Sequence, residues 1–129
     1  MLLGVSNPAG VGSSLQYIGD HAYGYSGEMS VNNGLHTALD FSTGNEYIKA
    51  KIYFYSLAIS NDDFQYKIKL NGQEIVSVQQ PQTYQSTSTG FVPMEVIITP
   101  NTHVQITLQN VTNTNAHTFT TVLVGEVYV

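Results

Sequence analysis

At 129 residues the chain is long enough for one domain with a real core and too short for two ordinary ones. It is 42% hydrophobic but only 10% charged, well below the roughly 25% usual in soluble proteins, and neutral polar residues take up the difference. Nine acidic residues against four lysines give a formal charge of -5, which argues against nucleic acid, whose phosphates need clustered Lys and Arg. The absence of cysteine removes disulfides, thiolate catalysis and cysteine-based zinc sites.

No apolar run of about 18 residues is present, so no membrane-spanning helix is expected. The start, Met1-Leu2-Leu3-Gly4-Val5-Ser6-Asn7-Pro8, lacks the basic and apolar regions of a signal peptide. Either the chain is not secreted or a signal has already been removed.

Residues 1 to 20 read as an N-terminal arm, rich in Gly and Ser from residue 6, ahead of a domain over 21 to 129. Tyr23, Tyr25, Met29 and Val31 alternate with Gly24, Ser26, Glu28 and Ser30, predicting a strand over 21 to 31 with its large residues on one face. Leu35, Thr37, Leu39 and Phe41 predict the next strand over 35 to 41. Residues 47 to 59 form a long ribbon with Ile48, Ala50, Ile52 and Phe54 on one face. Its other face starts with Lys49 and Lys51 and turns apolar at Tyr53, Tyr55, Leu57 and Ile59.

In the strand over 64 to 70, Tyr66, Ile68 and Leu70 oppose Lys67 and Lys69. Asn71-Gly72 then predicts a tight type I′ hairpin into a strand over 73 to 79, because both central residues of that turn need positive φ. Residues 79 to 90, dominated by Gln, Ser and Thr, read as a long loop. Further strands follow over 92 to 98, 103 to 109 and 117 to 128. The last has Phe119, Thr121, Leu123, Val127 and Val129 on one side and Val122, Val124 and Tyr128 on the other.

Strands without crossover helices give an all-β fold. Eight of them, several long, favour a single eight-stranded antiparallel jelly-roll sandwich. A sandwich buries one face of each sheet, so ribbons apolar on both faces call for a second cover. That cover is either another subunit, contacted by Tyr53, Tyr55, Leu57, Val122, Val124 and Tyr128, or the arm folded back over the sheet.

Chemistry is sparse. His21, His36, His103 and His117 show no metal-ligand spacing. His36 shares a predicted face with Asp40, and His21 adjoins Asp20, but exposed or subunit-contacting histidines are the simpler reading. Asp62 and Asp63 point apart, as neighbours in a turn do, and make no glycosidase pair. No catalytic, metal or cofactor residues are assigned, and the chain is read as a non-enzyme. Lys49, Lys51, Lys67 and Lys69 would form one positive patch if their two strands shared a sheet. Tyr84, alone in the polar loop, is the candidate for an exposed contact. The sequon Asn110-Val111-Thr112 is expected by chance in a chain so rich in Asn and Thr.

The order Tyr47-Ile-Lys-Ala-Lys-Ile-Tyr-Phe-Tyr, Phe64-Gln-Tyr-Lys-Ile-Lys-Leu-Asn-Gly, a polar loop, Val92-Pro-Met-Glu-Val-Ile-Ile-Thr-Pro-Asn-Thr-His-Val-Gln-Ile-Thr-Leu and Thr121-Val-Leu-Val-Gly-Glu-Val-Tyr resembles compact viral jelly rolls. Phage capsid decoration proteins and spike heads share this pattern, which spans residues 47 to 128. It is similar in strand order to trimeric heads of the tumour-necrosis-factor and C1q type, but lacks their cysteine and collagen-like stalk. The resemblance implies a non-enzymatic virion structural protein, a capsid decoration or minor capsid component. It further implies a place in the virion and contacts with other virion proteins and with itself as a homotrimer, without membrane or nucleic acid. The alternative it leaves open is a receptor- or carbohydrate-binding trimeric spike or fibre head of the same fold.

Overall fold

Period-two alternation makes each ribbon a strand with one face committed to a core. The computed structural model describes residues 15–56, 63–81 and 93–128. The strands are β1 (Leu15–Ile18), β2 (His21–Val31), β3 (His36–Ser42), β4 (Tyr47–Ser56), β5 (Asp63–Leu70), β6 (Gln73–Pro81), β7 (Met94–Ile98), β8 (His103–Asn110) and β9 (His117–Tyr128). No helix occurs among the described residues. A larger sheet runs β1-β2-β9-β4-β7 and a smaller one β3-β8-β5-β6.

The antiparallel pairs β2 with β9, β3 with β8, β4 with β7 and β5 with β6 are nested, each enclosing the next. Successive pairs fall alternately in the two sheets. This is one long hairpin rolled over on itself, the jelly roll expected from the strand pattern. β1 is an additional strand, paired with β2 and drawn from the segment read as an arm. Leu15 enters the core there, and Tyr17 donates its hydroxyl to Glu46 in the β3–β4 connection. Residues 15–18 thus extend the larger sheet at its edge and do not cover its outer face. The earlier part of the arm, Leu57, Asp62, Tyr84 and Val129 lie outside the described residues.

The Asn71-Gly72 turn has φ of 53° and 80°, as a type I′ hairpin requires. Its tip docks on β8. The Asn71 N–H donates to the His103 carbonyl, and the His103 N–H donates to Asn71 Oδ1, both at 2.8 Å.

The core is clamped by rings from both sheets. Phe54 of β4 stacks on Tyr66 of β5 at 4.5 Å, and Phe119 of β9 meets Phe64 of β5 at 4.4 Å between centroids. Burial pushes the Tyr66 phenol far above the usual tyrosine range. Folding therefore holds Tyr66 protonated where the unfolded chain ionises. Its contribution is complete below about pH 10 and declines above it, by about 1.4 kcal/mol per pH unit. Urea denaturation across that alkaline range is expected to show this fall, and Tyr66→Phe is expected to flatten it. The same slope in both proteins would assign the effect to other groups.

Candidate interaction surface

Strand registers line up the outward side chains of the larger sheet in rows. Tyr25, Val122 and Tyr53 lie side by side across β2, β9 and β4. The next row holds Tyr23, Val124 and Lys51, with Glu95 beyond on β7. Then come His21, Glu126, Lys49 and Ile97. Tyr128 pairs with Tyr47 at one end and Thr120 with Tyr55 toward the other. The Tyr53 and Tyr55 rings are parallel to within 1°, with their centroids 6.2 Å apart.

Of the eleven large apolar side chains that stand exposed among the described residues, eight are on this sheet's outer side. They are Ile18, Tyr23, Tyr25, Tyr47, Tyr55, Ile97, Val124 and Tyr128, whereas Leu35, Ile75 and Val111 are scattered elsewhere. The outer side of the smaller sheet carries Gln65, Lys67, Lys69, Gln105, Thr107 and Gln109. Single exposed apolar residues are ordinary, but this concentration on one face makes it the candidate interaction surface.

Tyr53, Tyr55, Val122, Val124 and Tyr128, predicted from sequence as contact residues, all belong to this face, while Leu57 lies outside the described residues. Simple alternation placed Tyr23, Tyr25, Met29 and Val31 on one side of β2, and the structure corrects that. A bulge at Ser26 and Gly27 (φ 75°) inserts extra chain opposite β9. Tyr23 and Tyr25 point outward, while Val31 is buried and Met29 packs against the core. The gap in the ladder is closed by the Ser26 hydroxyl, which accepts the Thr121 N–H at 2.9 Å.

Beside the tyrosine rows lies a shallow depression of about 300 Å³ lined by His21, Lys49, Lys51, Glu95, Val124 and Glu126, with Ala50 and Gly125 beneath. The ion pairs among the described residues are Lys67 with Glu74 at 3.7 Å and His103 with Asp40 at 2.6 Å. The lysines and glutamates of the depression close no ion pair with one another. Glu126 accepts the Tyr128 hydroxyl at 3.0 Å, and that hydrogen bond raises the Tyr128 phenol above its usual range. The four lysines form no single patch. Strands β4 and β5 belong to different sheets, so Lys49 and Lys51 are outward on the larger sheet and Lys67 and Lys69 on the smaller.

No protein-family model matches the chain, and no curated protein matches it. One solved structure, described as the native structure of a family 35 carbohydrate binding module from Clostridium thermocellum, aligns at 17% identity over 95% of this chain and 85% of that chain, with a TM-score of 0.42. A likeness this loose transfers no ligand.

The remaining candidate residues do not converge. His36 bonds to Asn32, and the partner of Asp40 is His103 on β8 in place of His36. No group of three metal-ligating side chains occurs among the described residues. The Asp63 carboxylate accepts from Gln79 Nε2 at 3.1 Å. The sequon asparagine, Asn110, is 1% exposed. Its Nδ2 donates to Asn113 Oδ1 and the Asn115 carbonyl, and its Oδ1 accepts the Thr112 and Asn113 N–H groups. It shapes the β8–β9 turn and offers no free amide to a glycan.

Proposed function

We propose that this chain is a non-enzymatic virion structural protein, a capsid decoration or minor capsid component, that acts through subunit contacts made by the outer face of the larger sheet. The observation that carries the reading is the gathering of exposed tyrosine, valine and isoleucine on that one face, opposite a face of Gln, Thr and Lys. Tyrosine joins a large apolar ring to a polar tip and is enriched where proteins bind one another. The virion assignment draws its support from the strand order over residues 47 to 128.

Light scattering at micromolar concentration is expected to report self-association, and the resemblance implies three copies. Val122 is half-buried at the centre of the tyrosine rows. Val122→Asp is expected to weaken association at least about tenfold while leaving the fold intact, because it buries an unpaired charge at the contact. A strict monomer would sink the subunit-contact reading, and absence of the protein from purified particles would end the virion assignment.

The parallel Tyr53 and Tyr55 rings on the outer face favour a second reading, a receptor- or carbohydrate-binding head, since an exposed tyrosine ring such as Tyr55 offers a surface on which a sugar can stack. Glycan-array binding that is lost in Tyr55→Ala would select it.

A further inference from the structure

Lys49 and Glu126 are direct cross-strand neighbours, with Lys51 and Glu95 in the adjoining row, and none of them closes an ion pair among the described residues. The whole chain carries -5, yet the outer face of the larger sheet sets Lys49 and Lys51 against Glu28, Glu95 and Glu126, so it is close to balanced. Two copies that repel elsewhere can approach on this face.

We infer that the occupant of this face is a second copy of the chain, and that Lys49 and Glu126 set its register by pairing between copies. The ladder gives the reason. Turned over onto itself about an axis running between β4 and β9, the face sets each Lys49 against the Glu126 of the other copy. The same operation places Tyr53 against Val122 and Tyr47 against Tyr128. At these positions apolar residues meet apolar residues and unlike charges meet across an isologous contact, while the intervening row sets Lys51 against Val124. Sheets stacked face to face sit about 10 Å apart, which is the reach of such side chains. The four strands β2, β9, β4 and β7 present roughly 600 Å² in projection, and side-chain relief brings this near the ~800 Å² per partner of a standard interface.

This inference rests on the subunit-contact part of the proposed function and not on the virion assignment or on three copies. Its test is a charge exchange followed by sedimentation and light scattering, with circular dichroism to verify folding. Lys49→Glu alone and Glu126→Lys alone each bring like charges together twice per pair, and each is expected to weaken self-association at least about tenfold. Mixing the two variants restores association, because each supplies the charge the other lacks. Joining both substitutions in one chain restores self-pairing to about the level of the unsubstituted protein. Association unaffected by the single exchanges, or an assembly of three indifferent to them, would overturn this pairing and leave the proposed function standing. A strict monomer of the unsubstituted protein would remove both.

Discussion

Phe119→Ala is expected to lower folding stability by about 3–5 kcal/mol, a large share of the ~5–15 kcal/mol that holds a domain of this kind together. Phe119 is fully buried on the inner side of β9 and touches rings from the opposite sheet. Its centroid lies 4.4 Å from Phe64 and 6.1 Å from Tyr66. Truncation removes the apolar surface of the ring and leaves a cavity between two sheets whose strands are held by their own ladders and cannot easily close on it. Phe119→Leu keeps most of the volume and is expected to cost much less. Urea denaturation of the two variants measures the difference. A loss below about 1 kcal/mol for the alanine variant would show that the sheets collapse onto the gap. The proposed contact is expected to weaken with it, because β9 also carries Val122, Val124 and Glu126 on its outer side.

The two long ribbons were legible in the sequence because nothing interrupts their period. Ile48, Ala50, Ile52 and Phe54 are all fully buried, and Tyr53, Tyr55 and the two lysines of β4 face out as alternation requires. Strand β2 reads differently because one glycine changes the count. The positive φ of Gly27 permits a bulge that reverses the phase of everything after it, and alternation alone cannot anticipate that reversal. Strand β1 is four residues long, too short to show a period, and exists through its pairing with β2. The division of the lysines follows from topology. In a nested roll, neighbouring members of the chain such as β4 and β5 pass to opposite sheets, so closeness in sequence puts Lys51 and Lys67 on opposite outer surfaces. The tyrosine-rich outer face is a property of the whole sheet. β2, β9, β4 and β7 come from distant parts of the chain, and only their registers bring Tyr25, Val122 and Tyr53 into one row.

Gly125→Ala is expected to lower stability by about 1–3 kcal/mol, roughly 3–15 °C in melting temperature, with valine at this position worse. Gly125 lies on the inner side of β9, between Ala22 of β2 and Ala50 of β4, in a row of small residues. A Cβ there would stand 2.5 Å from Ile48 Cγ2 and 3.3 Å from the Lys49 carbonyl oxygen. Ile48 is fully buried and branched at Cβ, so its methyl has no room to swing away. Relief must come from sliding β9 against β4, and that movement carries Glu126 away from its register with Lys49. Ile48→Ala removes the obstructing methyl at the cost of its own cavity. In a double-mutant cycle the combined variant is therefore expected to be more stable than the sum of the single losses by at least about 1 kcal/mol. Strict additivity would place the conflict at the Lys49 carbonyl, where only backbone movement relieves it, and would make the small-residue row a requirement of strand spacing and not of side-chain packing.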